Sequence, residues 1–272
     1  MHFVMFSKML SPLSIAKAGE TIKALGFDGV DLTVRPGGHV LPEKAKADLP
    51  KAVETLKAAG LTVPMVTTGI VEADAEADAV FGAVAQCGIH YLKLGYWRYE
   101  GFGTIEKSIA ATRKQLAGLE KLAQKHNVRA CIHSHSGNML SAEGGVVHLL
   151  LRDFDPHALG AYIDPGHMTA EGGVSGWKIC MDLLKDRISL VAAKSFGWFH
   201  EKDAWHEKLL PLKDGTVRWP EVFACLKQIG YNNIISLHSE YQGSHSWRDL
   251  TLDELIAQTR EDVQYLQSVW TR

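Results

Sequence analysis

The sequence predicts an α/β fold, a (β/α)8 TIM barrel formed by a single domain over residues 1–272. Three observations lead to this prediction. Eight short apolar runs alternate with helical segments, the length is close to the ~250 residues typical of such barrels, and no linker or low-complexity segment divides the chain. A doubly wound open sheet is the alternative. It normally uses fewer strands, and no glycine-rich phosphate fingerprint follows the first apolar run.

The predicted strands are runs of β-branched and aliphatic residues bounded by turn signals. They span residues 2–7, 29–34, 61–67, 90–95, 128–134, 159–164, 188–194 and 233–239. The segments between them carry apolar residues at three- and four-residue spacing and often end in Gly or Asn, which is typical of amphipathic helices. The clearest of these helical segments are 14–26, 49–60 and 104–127.

Composition and charge exclude several classes of function. The chain is 46% hydrophobic and 22% charged, as in an ordinary globular protein. Its formal net charge of −2 gives no excess of positive charge with which to bind nucleic acid. No apolar run approaches the roughly 18 residues of a membrane span, and the N-terminus does not read as a signal peptide. The cysteines are far apart and read as free thiols, so we expect a cytoplasmic protein acting on a small molecule. They are Cys87, Cys131, Cys180 and Cys225.

Polar side chains gather at the carboxyl ends of the predicted strands, where the active sites of such barrels lie. Alternation places them on the same face within each strand. On the later strands they are His133 and His135, Asp164 with His167 after it, Lys194, and His238 with Glu240. The second strand adds Asp31, Thr33 and Arg35 and runs on to His39.

Each of these residues also has an ordinary structural interpretation. His133 alone would more often bind a backbone carbonyl, Asp164 before Pro-Gly would start a turn, and Lys194 would extend its ammonium into water. Trp97 and Trp198 follow predicted strands, where flat rings either bind sugars or pack under loops. The coincidence of polar residues at the same end of several strands favours a site.

The order of several motifs resembles the sugar phosphate isomerase/epimerase superfamily of xylose isomerase-like TIM barrels. The motifs are "LGFDGVDL", "IDPGH", "AAKSF", "PLKDGTVRWPEVFACLKQIGY" and "IISLHSEY". The resemblance spans nearly the whole chain, and the superfamily includes inosose dehydratases and is related to endonuclease IV. It implies a divalent metal (Mn, Zn, Mg or Co) bound by a Glu, an Asp, a His and a Glu from the fifth to eighth strands. Asp164 matches the aspartate, His167 the substrate-binding histidine and Lys194 the lysine after the seventh strand.

Other positions depart from that pattern. His133 stands in place of the first glutamate, Ala192 in place of the histidine, and His238 in place of the second glutamate, with Glu240 on the same face. The metal ligands that the resemblance implies for this chain are therefore His133, Asp164, His238 and Glu240. These donors suit zinc, manganese or iron.

The resemblance implies an isomerase or epimerase that moves a proton next to a carbonyl of a small polyhydroxylated substrate. We expect Glu240 to be the base and Lys194 to stabilise an enolate oxygen. The expected substrate-binding residues are His135, His167, Arg35, His39, Trp97 and Trp198, with Arg35 and His39 facing an anionic end.

Two other functions stay open on the same scaffold. One is an inosose dehydratase-like lyase, in which proton abstraction leads to loss of water. The other is a non-catalytic sugar-binding barrel, which the missing ligand at Ala192 favours. A DNA-repair nuclease is disfavoured, because the near-neutral charge attracts phosphates only weakly. The amphipathic helical segment at the C-terminus would also allow the chain to form a homo-oligomer.

Overall fold

Eight parallel strands close into a barrel in the computed structural model, which describes residues 1–271. Arg272, part of the predicted domain, lies outside the described residues. The barrel strands are β1 His2–Phe6, β2 Gly29–Val34, β3 Thr62–Thr68, β4 Tyr91–Lys93, β5 Arg129–His133, β6 Leu159–Ile163, β7 Ile188–Ala193 and β10 Ile234–Leu237. Pairing of β1 with both β2 and β10 completes the ring. All eight predicted strands are confirmed.

Helices follow the barrel strands and cover their outer faces. They are α1 Ile15–Ala24, α2 Ala45–Ala58, α3 Ala75–Gln86, α4 Ile105–His126, α5 Gly144–Leu151, α6 Pro165–Leu184, α7 Trp219–Gln228 and α8 Leu252–Trp270. Local sequence explains several of their ends. The Ser14 side chain caps α1, Thr251 and Glu254 form a capping box at α8, and Asn127 ends α4 in the left-handed region with φ 52°. No helix within residues 1–271 is long and apolar enough to cross a membrane.

Two apolar layers hold the barrel together. The larger one lies between the strands and the helices, and the smaller one fills the barrel interior. The interior layer consists of Val4, Met65, Cys131, Tyr162, Leu190, Ala192 and Ile234. The next inward side chains along β5, β7 and β10 are polar, because side chains two residues apart share a face. The apolar interior therefore forms a floor beneath a polar upper layer.

A hairpin that the sequence did not predict follows the seventh barrel strand. It consists of β8 Ser195–Glu201 and β9 Ala204–Leu210, paired antiparallel around a two-residue turn. The turn residues Lys202 and Asp203 both have positive φ, as in the tight turns that join twisted strands. Because β8 begins directly after Lys194, the hairpin rises from the same end of the barrel as the polar layer.

Candidate active site

A cavity of about 90 Å³ opens at the carboxyl ends of the barrel strands. Its lining residues are Phe6, Lys8, Arg35, Thr67, Lys93, Tyr96, His133, His135, Lys194, His238 and Glu240. Four of them are lysine or arginine and one is a carboxylate, so the lining favours an electron-rich ligand. A larger cavity of about 390 Å³ lies at the amino-terminal ends of β4 and β5, away from these groups.

Lys194 and Glu240 form an ion pair inside this cavity. The Nζ of Lys194 lies 2.9 Å from Oε2 of Glu240, and Lys8 pairs with the other carboxylate oxygen. Burial opposes a charge on Lys194, but the carboxylates of Glu240 and Asp164 outweigh it and raise its pKa. Burial also opposes ionisation of Glu240, yet the ammonium groups of Lys194 and Lys8 hold the pKa of that carboxyl well below its usual range. Both members of the pair are therefore charged at neutral pH.

Asp164 joins the end of β6 to the start of α6. Its Oδ1 accepts hydrogen bonds from the backbone N–H groups of Gly166 at 2.9 Å and His167 at 3.2 Å, as an N-cap does. Its Oδ2 lies 3.2 Å from Nε2 of His133 and 3.7 Å from Nζ of Lys194. A Cβ at Gly166 would lie 2.8 Å from the backbone oxygen of Lys194, so glycine is required where this turn approaches β7.

A chain of hydrogen bonds links Lys194 to the hairpin. Its Nζ lies 3.1 Å from Nε2 of His167, whose Nδ1 lies 2.7 Å from Oγ of Ser136. Ser136 in turn donates to Oε1 of Glu207 on β9 at 2.8 Å. Burial, and then the charge of Lys194, lower the pKa of His167 well below its usual value, so its ring is neutral. Nε2 then accepts from the ammonium while Nδ1–H donates to the serine.

His135 stacks on His167 with ring centroids 3.9 Å apart. Burial lowers its pKa as well, and its Nδ1 lies 2.9 Å from the backbone oxygen of Ser136. A neutral imidazole in this position leaves Nε2 as an acceptor for a hydroxyl group, since Nδ1 donates to the carbonyl.

A buried polar layer lies below the cavity. The Nδ1 of His133 is 2.8 Å from the hydroxyl of Tyr96, and its ring stacks on Tyr162 with centroids 4.4 Å apart. The hydroxyl of Tyr162 lies 2.9 Å from Nε2 of His238 and 3.4 Å from Oδ2 of Asp31. These contacts fix the two histidine rings from beneath.

Asp31 is fully buried at the centre of this layer. Oδ1 accepts a hydrogen bond from Thr67 at 2.7 Å, and Oδ2 accepts one from Ser236 at 2.8 Å. Burial raises the pKa of Asp31 to about 6, although these hydrogen bonds favour the ionised form. Its contacts make it a structural support of the site.

A sequence profile described as xylose isomerase-like TIM barrel matches residues 20–269. The chain belongs to this family. No curated protein sequence matches it.

Solved structures of xylose isomerase-like TIM barrels share the fold over nearly the whole chain. D-Allulose 3-epimerase from Methylomonas sp. superimposes with a TM-score of 0.74 at 15% identity, covering 99% of this chain and 98% of that one. 3-Keto-D-glucoside 4-epimerase from E. coli gives 0.71 at 14% identity, covering 98% and 99%. A xylose isomerase-like TIM barrel protein from Mycobacterium smegmatis, in complex with magnesium, gives 0.68 at 16% identity, covering 94% and 88%.

The donors in the cavity do not suit the divalent metal that the family resemblance implies. The ammonium of Lys194 lies among them, 2.9 Å from Glu240 Oε2, 3.1 Å from His167 Nε2 and 3.7 Å from Asp164 Oδ2. A divalent cation bound by these atoms would face that charge at contact distance, where repulsion is strong. Ala192, in the barrel interior, offers no donor.

The remaining predicted ligands do not complete a metal site. Both ring nitrogens of His133 have partners, at Tyr96 and Asp164. The Nδ1 of His238 is buried without a partner, but its nearest carboxylate oxygen, on Glu240, is 4.0 Å away and already paired. Within residues 1–271 no three His, Cys, Asp or Glu side chains are arranged to hold one metal ion. The set of His133, Asp164, His238 and Glu240 therefore does not fit a divalent ion in this arrangement.

The predicted substrate-binding residues separate into two groups. Arg35 and His135 line the cavity, and His167 contacts Lys194 beside it. His39 points elsewhere, since its ring nitrogens lie 3.2 Å from Ser7 Oγ and 3.2 Å from the backbone oxygen of Leu10.

The two predicted tryptophans also lie outside the cavity lining. The Nε1 of Trp97 donates to Gln115 on α4 at 2.7 Å, and the ring packs against the apolar core. Trp198 is 48% exposed on the hairpin and lines a different cavity beside Trp177 and Arg218. Of the two interpretations given for these rings, sugar binding or packing, the structure supports packing for Trp97.

Several cavity residues were missed by the sequence analysis. Lys93 carries the same signal as Lys194, a lysine that closes an apolar strand, and this signal could have identified it. Tyr96 follows a predicted strand just as Trp97 does, and this pattern could have identified it, whereas no local pattern singles out Lys8 in the short segment after β1. Glu207 reaches the site from the hairpin, which the sequence did not predict.

Proposed function

We propose that the protein is an isomerase or epimerase that transfers a proton at a carbon next to the carbonyl of a small polyhydroxylated substrate. The observation that carries the proposal is the buried pair of Lys194 and Glu240, 2.9 Å apart in the cavity. An ammonium stabilises the oxygen on which negative charge develops, and an adjacent carboxylate accepts the proton. Membership of a family whose structural neighbours include sugar epimerases supports this class of reaction.

Substrate binding makes Glu240 a better base. In the free protein two lysines hold this carboxylate, and a carboxylate so stabilised binds protons weakly. A substrate oxygen that takes the hydrogen bond of Lys194 removes one of these contacts and raises the pKa of Glu240. Lys8, whose side chain is 40% exposed, is free to move towards solvent.

The neutral histidines and the cations provide the remaining contacts. His135 accepts a hydrogen bond from a substrate hydroxyl through Nε2, because burial keeps its ring uncharged, whereas His167 uses both ring nitrogens to hold Lys194 and Ser136. Arg35 lines the same cavity and faces an electron-rich end of the substrate. We infer that a carboxylate, a phosphate or a hydroxyl-rich end would each be held there.

Solvent isotope exchange tests the proposal. The protein is incubated in D2O with D-fructose, D-allulose, D-tagatose and a keto-inositol, and products are followed by NMR and mass spectrometry. We expect deuterium at the carbon next to the carbonyl together with an epimeric or isomeric product. A product that has lost one water would assign the lyase instead, and binding without exchange of any probe would contradict catalysis. Lys114→Met, which changes an exposed lysine on α4, is the matched control for Lys194→Met.

A further inference from the structure

A second lysine in the cavity has no charged partner. Lys93 ends β4, is 2% exposed and lines the cavity together with Lys194 and Glu240. Within residues 1–271 its Nζ makes no hydrogen bond and no ion pair, and it lies over the ring of Tyr96, 3.5 Å from the centroid. Buried lysines usually have a charged or hydrogen-bonding partner, so an amine that faces a cavity with only an aromatic ring beside it needs an explanation.

Lys93 and Lys194 are equally buried but differ in their surroundings. Lys194 contacts two carboxylates, which keep it charged. Lys93 has none within ion-pair distance. Burial lowers the pKa of Lys93 well below that of an ordinary lysine, the nearby charge of Arg35 lowers it further, and Asp31 opposes the shift only in part. One cavity therefore holds a lysine whose pKa is raised and a lysine whose pKa is well below that of an ordinary lysine, so that the second gives up its proton more readily.

We propose that Lys93 is a nucleophile that forms a Schiff base with the carbonyl group of an open-chain sugar. This inference rests on the proposed function and deepens it, because it names the group that activates the substrate and makes Lys194 the acid that protonates the departing oxygen instead of the partner of an enolate oxygen. Desolvation beside other cations is a known way to make a lysine amine nucleophilic. The position at the carboxyl end of a barrel strand is where catalytic groups of this architecture lie.

The chemistry balances with the groups present. The Nζ of Lys93 forms a C–N bond to the carbonyl carbon, and the C=O π pair moves to oxygen, which takes a proton from the Lys194 ammonium. One N–H proton then passes to that hydroxyl, the C–O bond breaks, and water leaves. The product is a protonated Schiff base that retains one N–H. Glu240 removes a proton from the adjacent carbon to give an enamine, and reprotonation followed by addition of water reverses these steps.

This step supplies a stronger electron sink than the hydrogen bond of the Lys194 ammonium to a carbonyl oxygen. Proton abstraction next to a carbonyl needs a group that withdraws electrons from it, and the carboxylates and histidines here do not fit a divalent ion. A protonated Schiff base performs the same task through its positive nitrogen. It requires an open-chain aldehyde or ketone, so the inferred substrates are small ketoses or aldoses.

Reductive trapping tests the inference. The protein is incubated at neutral pH with dihydroxyacetone, D-fructose or D-allulose and sodium cyanoborohydride, which reduces the C=N bond to a stable amine. Intact-mass measurement and peptide mapping then locate the adduct. We expect one adduct per chain on Lys93, at least ten-fold more than on any exposed lysine. Lys93→Met and Lys93→Arg should both lose it, whereas Lys114→Met should keep it. Circular dichroism checks that each variant is folded.

The outcomes separate this inference from the proposed function. Adducts spread evenly over surface lysines, or none on Lys93 with any of the three probes, would overturn the nucleophile assignment. If Lys93→Met also exchanged solvent deuterium into substrate at the wild-type rate, the proposed function would stand without it. Only the free amine reacts, so the yield of adduct on Lys93 should fall as the pH is lowered. A fall centred well below the ordinary lysine pKa would support the nucleophile assignment further.

Discussion

The ammonium of Lys194 lies 2.9 Å from the carboxylate of Glu240, and both side chains are largely buried at the mouth of the barrel. A pair so placed is held by more than its mutual attraction, since Asp164, His167 and Lys8 each contact one member. Buried ion pairs contribute little net stability, because desolvation offsets attraction. Their retention at the carboxyl ends of the strands is consistent with a role in binding or chemistry.

Replacing Lys194 by Met should lower activity by roughly 100-fold or more while the protein stays folded, because the group that holds the developing oxyanion is lost. Glu240 keeps Lys8 as a partner, so the free energy of unfolding should fall by only about 1–3 kcal/mol. Deuterium exchange into the substrate and urea denaturation measure the two quantities. Activity close to that of wild type would rule out the assigned role of Lys194.

Chelation should leave the protein unaffected. Lys194 lies where a divalent cation would meet Glu240, His167 and Asp164, so we expect no stoichiometric Mn, Mg, Zn or Co in protein purified without chelator. Elemental analysis of wild type and of Asp164→Ala should give the same low content. A full equivalent of one metal in wild type that disappears in the variant would contradict this, as would activity lost with EDTA and restored by manganese.

The Asp31→Asn variant should change the pH dependence of stability. The pKa of Asp31 is about 6 in the folded protein against 3.8 for an ordinary aspartate, so this group binds more protons in the native state between these values and its own contribution to stability falls as pH rises through this window. The amide cannot titrate and removes that fall. The shift of about two pKa units corresponds to roughly 3 kcal/mol of lost stability at pH 7, which Asp31→Asn restores. The substitution also removes an acceptor for Ser236 or Tyr162, which costs about 1 kcal/mol, so the net gain in the free energy of unfolding is the difference between the two.

Urea denaturation at a series of pH values checks this expectation. Asp262, whose pKa is also raised to about 6 by burial, keeps its own share of the slope, so Asp262→Asn is the matched comparison. The double variant should differ from wild type by the sum of the two single changes, because the buried histidines and Glu240, whose pKa values are lowered, contribute the same opposite slope to every variant. A wild-type slope that persists in Asp31→Asn would show that Asp31 titrates normally.

Much of the fold could be predicted because barrel strands are buried on both faces and read as continuous apolar runs. Strand alternation alone then placed His133, Lys194, His238 and Glu240 on the inward face, as the structure has them. The hairpin over Ser195–Leu210 could not be predicted in this way. Its outer part is exposed, so no apolar pattern distinguishes it from a loop.

Partners in the site were harder to predict than positions. The pair of Lys8 and Glu240 joins residues 232 apart in sequence, and only closure of the barrel brings them together. The ring of His39 is held by Ser7 and Leu10 through a local loop conformation that its residue type does not specify. Metal ligation depends on what lies between the donors, and the sequence pattern did not show that Lys194 reaches into that space.

The contact between Ser136 and Glu207 should control how firmly the hairpin covers the site. Glu207→Ala removes the acceptor at the end of the chain that runs from Lys194 through His167. A hydrogen bond to a charged group is worth about 1.5 kcal/mol or more, so we expect the KM of the active substrate to rise about ten-fold. Glu201→Ala, which removes an exposed pair with Lys208 at the hairpin tip, should leave KM unchanged. Equal effects of the two substitutions would contradict a specific role for Glu207.

The glycine after Asp164 should be intolerant of substitution, since a Cβ at Gly166 would lie 2.8 Å from the backbone oxygen of Lys194 and 3.0 Å from Oδ1 of Asp164. Gly166→Ala must push the β6–α6 turn away from β7, which costs about 1–3 kcal/mol in the free energy of unfolding and displaces Lys194 from Glu240. Gly176→Ala, in the helical segment that follows the break in α6 at Gly173 and with open space around it, should be neutral or stabilise by up to about 1 kcal/mol. Thermal unfolding of the two variants measures the change in stability, and deuterium exchange into the substrate measures the change in activity. If Gly166→Ala kept wild-type stability and activity, the turn would be free to move and would not fix the position of Lys194.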